Sequence, residues 1–193
     1  GPARALQQLL GDRGSVVATI VCGDNYFSER EDSALDAVRH ALTDARPDVV
    51  VAGPAFDAGR YGLSCGAVCK AAQDMDIPAV TAMHPENPGV LTYRKDVVIV
   101  PTGTSPGEMQ NILSSMLSII MTLATGGKLA SPAEAGYLST GIREGVMRDE
   151  PGFKRAVDML TDKLNGRPFV SEVPFQLPER VIPAPPILNM RSA

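Results

Sequence analysis

The sequence has no tryptophan, few aromatic residues and only three cysteines among its 193 residues. This odd and small number of cysteines argues against a disulfide-stapled secreted domain and favours reduced thiols, which predicts a cytoplasmic protein. Long apolar runs are also missing, since the longest extend over about five to eight residues and a bilayer span needs roughly 20. No membrane-spanning segment and no signal peptide is therefore predicted.

An excess of positive charge is likewise absent. The chain has 18 Lys and Arg against 22 Asp and Glu, a formal net charge of −4, and the two signs are interspersed. Without a basic stripe, nucleic acid is not an expected partner. The glycines form neither a GxGxxG after the first apolar run nor a GxxxxGK[ST], and with two histidines and no CxxC pair no metal site is predicted. No cofactor is expected within this chain itself.

The chain does contain short β-branched apolar runs that alternate with helical patterns. Four of these runs predict strands that are buried on both faces, over residues 16–22, 48–53, 77–83 and 96–103. Because parallel strands need crossover connections, the alternation predicts an α/β, doubly wound, mainly parallel sheet of about four or five strands with helices on both faces.

Four helices are predicted between and after the strands. The first begins at an N-cap, Ser28, and the second is short, over residues 66–74. The third follows Ser105, another N-cap, and has the broadest apolar face, while an amphipathic pattern over 151–166 predicts the fourth. Residues 168–177 favour a further edge strand, limited by its prolines.

The composition of the last residues indicates how the domain is organised. Residues 1–180 are predicted to form a single α/β domain, and residues 181–193 a proline-rich connector. Such connectors usually join one domain to another, so we expect a fragment whose C-terminal half is missing.

Polar residues gather directly after the predicted strands. Ligands of open parallel sheets bind beyond the carboxyl ends of the strands, which makes these loops the expected site. The candidate substrate-binding residues are Asp24, Asn25, Arg60, Tyr61, Glu86 and Asn87. Arg60 offers a planar fork to a carboxylate, although a structural salt bridge to Asp57 or Glu86 explains it equally well. Asp24 and Asn25 also fit a turn that caps the next helix.

Cys65 is a candidate catalytic thiol because it lies near the start of a predicted helix, where a thiol pKa is lowered. A buried structural cysteine is the competing interpretation, and it is the favoured one for both Cys65 and Cys69.

Five motifs follow one another along nearly the whole chain: VVATIVCGDNYFSE, VVVAGPAFDAGRYGLSCGAVCKA, IPAVTAMHPENPGV, VIVPTGTS and RVIPAPPI. In this order they resemble the N-terminal half of the component B subunits, of the selenoprotein B type, of the glycine, sarcosine and betaine reductases. CGDNYF and AGPAFDAGRYG are the most specific of the motifs. The sequence is therefore identified as a member of that family by resemblance.

The resemblance implies a part in the reductive cleavage of the C–N bond of glycine or an N-methylated glycine. It implies a pyruvoyl group on a partner subunit, and a selenocysteine or a cysteine in the missing half, to which Cys65 does not correspond. The implied partners are a second component B chain or the C-terminal half of the same polypeptide, in an oligomer, with a small amine or amino acid as substrate. Within this frame, Arg60 would bind a substrate carboxylate, and Glu86 or Asp24 would face the amine.

Two other functions stay open at this stage. The chain fits a noncatalytic subunit that binds a partner or ligand, such as the N-terminal product of a self-cleaving pyruvoyl proprotein. A racemase with Cys65 as one of two thiol bases is the third option, for which the sequence offers no evident second thiol.

Overall fold

The computed structural model describes residues 1–140 and 150–169. It contains a parallel sheet with helices before, between and after its strands. The three strands are β1 (Val50–Phe56), β2 (Ala79–Met83) and β3 (Val98–Pro101). The helices are α1 (Pro2–Leu10), α2 (Asp24–Glu29), α3 (Glu31–Ala45), α4 (Gly59–Gln73), α5 (Pro88–Tyr93), α6 (Met109–Ala124), α7 (Pro132–Ala135) and α8 (Gly152–Leu164). Short 3₁₀ turns occupy Gly11–Arg13 and Pro106–Glu108.

The strands lie in the order β1-β2-β3, and both pairings are parallel. Val50 is in register with Ala79, and Val80 with Val98. The register between β1 and β2 is regular up to Ala52 and then shifts before Phe56. Gly53, whose φ is 91°, lies within this irregular stretch, where a residue with a Cβ would be strained.

Helices cover both faces of the sheet, so the side chains of β2 are buried on both sides. Ala79 and Met83 point into one core cluster, together with buried residues of α3, α4 and α5. Val80 and Ala82 point into a second cluster, which α1 and α6 complete. The predicted α/β class, with a mainly parallel sheet and helices on both faces, is confirmed. Three strands are described, which is close to the expected number.

The longest helix begins where its sequence predicts. Ser105 accepts a hydrogen bond from the backbone N–H of Gly107 at 3.2 Å, which caps the 3₁₀ turn that leads into α6. The buried side chains of α6 then recur at helical spacing. They are Leu113, Met116, Ile119 and Ile120.

The predicted first strand, residues 16–22, is wrong for the described structure. These residues belong to no helix or strand, and nearly all of them are exposed. Among the described residues, none of the three strands pairs with them. A β-branched apolar pattern supplies strand propensity, but a strand forms only when a neighbour accepts its hydrogen bonds.

Two helix starts also differ from the prediction. The helix expected to begin at Ser28 is divided, since α2 starts after Gly23 and α3 starts after Arg30. α4 begins at Gly59, seven residues before the predicted Gly66. The extra turns of α4 are rich in glycine, which lowers helix propensity, and tertiary packing overrides that penalty.

By its contacts, the chain divides into two compact units, Gly1–Arg143 and Glu144–Ala193. In the second unit the described element is α8, which confirms the predicted last amphipathic helix. The predicted connector at 181–193 and most of the predicted edge strand at 168–177 lie outside the described residues. The single domain over 1–180 stays a prediction. Within the described ranges, no helix has both the length and the apolarity to cross a membrane.

Candidate functional site

The loops that follow β1 and β2 are joined by one buried side chain, Asn87. Its amide nitrogen donates hydrogen bonds to the carbonyl oxygens of Phe56 at 3.1 Å and Ala58 at 3.2 Å. Its amide oxygen accepts a hydrogen bond from the N–H of Gly89 at 2.9 Å, which caps α5. The side chain therefore fixes the end of β1 and the start of α4 relative to the turn after β2. A contact between Asn87 and substrate stays a prediction.

Arg60 and Asp24 meet at this end of the sheet. Arg60 lies in the first turn of α4, and its Nε is 3.7 Å from Oδ2 of Asp24, the first residue of α2. The arginine side chain is 63% exposed and the aspartate side chain 43% exposed. The partner of Arg60 is thus Asp24, and among the described residues neither Asp57 nor Glu86 forms an ion pair with it. At this exposure the pair adds little to stability, and the guanidinium remains accessible to a ligand.

The remaining polar candidates are Asn25, in α2, and Glu86, in the loop after β2, and both are exposed. Asn25 is exposed next to Asp24, whose Oδ1 accepts the N–H of Asn25 at 2.9 Å, while no side chain caps the start of α2. Glu86 is exposed and donates its backbone N–H to Nδ1 of His84 at 3.3 Å. The N–H of His84 in turn binds the carbonyl of Phe56 at 2.9 Å. The structure thus brings the loops of β1 and β2 together.

Tyr61 and Cys65 point to the other side of α4, toward the sheet. Tyr61 packs against the core cluster below the helix. Burial, together with the neighbouring Cys65, raises the pKa of the Tyr61 hydroxyl to about 12. Burial likewise raises the pKa of Cys65 to about 12, although the hydroxyls of Tyr61 and Thr81 partly oppose that rise. A thiol in such surroundings is protonated at neutral pH and is a poor nucleophile.

The accessible thiol is Cys22, which the sequence interpretation did not single out. The three cysteines are all free, and of these Cys22 is exposed whereas Cys65 and Cys69 are buried. Cys22 stands directly before Gly23 and Asp24, so it lies beside the candidate site in the chain. Its position just before a polar cluster was the signal in the sequence that could have drawn attention to it.

Among the described residues, the polar loops form no metal-binding cluster, and a surface hollow lies away from them. Within residues 1–140 and 150–169, no three His, Cys, Asp or Glu side chains lie close enough together to hold a metal ion. A surface hollow of about 720 Å³ is lined by residues that include Leu42, Arg46 and Ile77. These residues precede β1 and β2, so the hollow lies at the amino ends of the strands, away from the polar loops.

The chain matches the profile described as glycine/sarcosine/betaine reductase selenoprotein B over residues 1–193. It is 44% identical to the sarcosine reductase complex component B subunit beta of Peptoclostridium acidaminophilum over 191 residues, which cover 98% of this chain and 44% of the relative. It is 42% identical to the glycine reductase complex component B subunit gamma of Carboxydothermus hydrogenoformans, over 100% of this chain and 45% of the relative.

A betaine reductase complex component B subunit beta from Peptoclostridium acidaminophilum is 37% identical, over 100% of this chain and 45% of the relative. The chain therefore spans slightly less than half the length of these curated relatives. No solved structure matches it significantly. The match over the whole sequence confirms the resemblance that the motifs indicated. The chain belongs to the glycine/sarcosine/betaine reductase selenoprotein B family.

Proposed function

We propose that this chain is part of the component B subunit of an amino-acid reductase complex. In that complex it forms one wall of the pocket for reductive cleavage of the C–N bond of a glycine-type amine. The names of the relatives support the complex and the component. The position of the polar loops at the carboxyl ends of parallel strands supports a pocket at that edge of the sheet.

The observation that carries the proposal is the accessible guanidinium of Arg60. Glycine, sarcosine and betaine share a carboxylate and differ at nitrogen, so a carboxylate-binding arginine would serve all three. An arginine guanidinium can form two parallel hydrogen bonds to a carboxylate. Asp24 lies 3.7 Å from Nε of Arg60 and orients the guanidinium from that side. In this proposal Asp24 or Glu86 faces the positively charged amine.

The reactive groups belong elsewhere in this proposal. A pyruvoyl group on a partner subunit and a selenocysteine or cysteine in the rest of the polypeptide supply the chemistry that activates the amine. Neither buried cysteine of this chain has an accessible thiol for such a step. The chain's own residues bind the carboxylate, orient the amine and shape the pocket. We place the complex in the cytoplasm, which fits the three free thiols.

Replacement of Arg60 by alanine in the complete reductase tests this role. We expect KM for the amine substrate to rise at least about tenfold, because one charge-assisted contact worth about 1.4 kcal/mol is lost. Arg39→Ala is the matched control, since Arg39 also pairs with an aspartate, Asp36, on the exposed surface. Unchanged kinetics in Arg60→Ala would contradict the assignment.

A variant of Asp24 distinguishes ligand binding by Arg60 from a purely structural ion pair between the two residues. If Arg60 only pairs with Asp24, then Asp24→Asn will reproduce the whole kinetic effect, and Arg60→Ala will add nothing to it. If Arg60 binds the carboxylate, Arg60→Ala still raises KM by about tenfold in the Asp24→Asn background, because the two effects are then separate.

The second candidate is a noncatalytic subunit that shapes a pocket or binds a partner. The burial of Cys65 fits this candidate as well as the first, because neither needs an activated thiol in this chain. Intact mass and peptide mapping of the natural gene product across Ala193 separate the two. A continuous chain with a downstream cysteine or selenocysteine supports the first candidate. A separate downstream piece with a pyruvoyl group supports the second.

A further inference from the structure

The segment 16–22 is an exposed apolar stretch directly in front of the candidate site. Val17 is 62% exposed, Ile20 48% and Val21 90%. We propose that this segment is an interaction surface which pairs, strand to strand, with the remaining part of the same component B polypeptide. The inference rests on the proposed assembly into a longer subunit and adds to it the surface through which the two parts meet.

The backbone of the segment is open to such pairing. The N–H of Val16 binds Oε1 of Gln7 in α1 at 2.8 Å, which holds the start of the segment. From Val17 to Cys22, no backbone group forms a hydrogen bond with another described residue. Within the described part of the chain, six consecutive residues therefore present N–H and C=O groups without backbone partners. Such an edge is a template for a further strand.

Exposure of this stretch to water is costly for the chain. Several exposed apolar residues that adjoin one another mark an interface, whereas single exposed apolar residues are ordinary. Here the valines, the isoleucine and Ala18 follow one another without a charged residue. A strand that pairs with a neighbour satisfies the backbone and covers the side chains at once.

The location of the segment connects this surface to the site. Its start packs near the core cluster of α1 and α6, while Phe27, shortly beyond its end, is buried against α3 and α4 on the other face of the sheet. The segment thus links the two faces and leads through Gly23 to Asp24, the ion-pair partner of Arg60. A strand placed on it would lie beside the Asp24 and Arg60 pair, so the pocket would open between the two parts of the subunit.

The length of the relatives identifies the occupant as the rest of the same polypeptide. The matched region is 44% or 45% of the relatives compared above, so each of them carries more than half its length outside it. A strand on the same polypeptide pairs at a high effective concentration, which a second copy at cellular concentrations does not reach.

Hydrogen exchange of the full-length subunit measures the pairing without any need for activity. We expect the amides of residues 17–22 to exchange at least about a hundredfold more slowly than those of an unstructured peptide, because paired strands open only by local unfolding. Exchange at the unstructured rate would overturn the proposal. Unchanged kinetics in Arg60→Ala would contradict the role of Arg60 and leave the exchange of residues 17–22 unaffected, so the two proposals fail separately.

Maleimide labelling of Cys22 is a second test of the same surface. In the full-length subunit, we expect maleimide to label Cys22 at least about tenfold more slowly than it labels glutathione, because a strand covers the thiol. Labelling at the free rate would contradict the pairing. Protection that disappears when the protein is diluted to a monomer would assign the surface to a second copy instead, and would also overturn the proposal.

A charged substitution tests the side chains of the surface. Val21→Lys should lower the unfolding temperature of the full-length subunit by about 5 °C or more, because an ammonium group would enter an apolar interface. Thr43→Lys is the control, since Thr43 is β-branched and exposed on α3. Equal unfolding temperatures for the two variants would show that residue 21 stays in water and would overturn the proposal.

Discussion

At the scale of single residues, the geometry of the candidate site depends on one fully buried side chain, Asn87. Asn87 is fully buried and uses both ends of its amide to join two loops. Arg60, in contrast, is mostly exposed, and its direction depends on the α4 start that Asn87 holds through Ala58. The residue that positions the site and the residue proposed to bind the ligand are therefore different.

Asn87→Ala should destabilise the protein by about 3 kcal/mol, because it removes a helix cap and both hydrogen bonds that a fully buried amide nitrogen donates. Urea unfolding followed by circular dichroism measures the change. Asn87→Asp keeps the cap acceptor and loses the two donors, so it should remain strongly destabilised. Asn111→Ala, an exposed asparagine on α6, is the control and should change stability by less than about 0.5 kcal/mol. A similarly small effect of both Asn87 variants would show that the amide does not join the loops.

Cys65 should resist alkylation at neutral pH. A rise in its pKa from 9.0 to about 12 leaves the thiol protonated where a free thiol begins to ionise. Three pKa units correspond to about a thousandfold less thiolate at neutral pH. Peptide-resolved labelling of the native full-length protein with iodoacetamide should leave Cys65 unmodified while glutathione reacts, and urea should abolish this difference. Reaction of native Cys65 at the glutathione rate would make it a chemical participant.

At the scale of elements, α4 owes its position to glycines that bring it close to α5. A Cβ at Gly62 would lie 2.1 Å from Oδ1 of Asn87, and a Cβ at Gly66 would lie 2.1 Å from Cδ2 of Tyr93. These glycines lower the helix propensity of α4, but they also permit its close packing against α5, which offsets that lower propensity. The density of glycine in the stretch after β1 is thus explained by packing as well as by the site.

Gly66→Ala should destabilise the protein by about 1–3 kcal/mol, since the displaced Tyr93 ring outweighs the gain in helix propensity. The double variant Gly66→Ala, Tyr93→Ala relieves the clash, so Gly66→Ala should cost nothing or stabilise in that background. Thermal unfolding of the four proteins of this cycle measures the coupling. Additive effects would mean that the two side chains do not compete for one space.

At the scale of the whole molecule, the fold and the family bear on different parts of the proposed function. The first unit contains a parallel sheet whose loops at one edge carry the polar residues, and the family is named for reductases of small amino acids. The chain spans less than half the length of its curated relatives, and we propose that the rest of the subunit supplies the other walls of a pocket at this edge. The exposed segment 16–22 is the surface on which we propose that the rest of the subunit packs.

The sequence by itself determined the fold class and the family. Periodic apolar runs dictate buried strands and amphipathic helices, and motifs such as AGPAFDAGRYG are long enough to be specific. Three of the four predicted strands correspond to β1, β2 and β3, and Ser105 caps the turn before α6 as its sequence indicates. These features depend on neighbours in the chain, which a sequence displays directly.

Only the tertiary structure decided what depends on residues distant in the chain. It paired Arg60 with Asp24 rather than with Asp57 or Glu86, buried Cys65 below Tyr61, and gave Asn87 its partners 29 and 31 residues away. It also extended α4 through glycines that local propensity disfavours, and left residues 16–22 without a strand partner in the described part of the chain. Propensity is a local property, whereas hydrogen-bond partners, burial and strand neighbours are set by how distant segments pack.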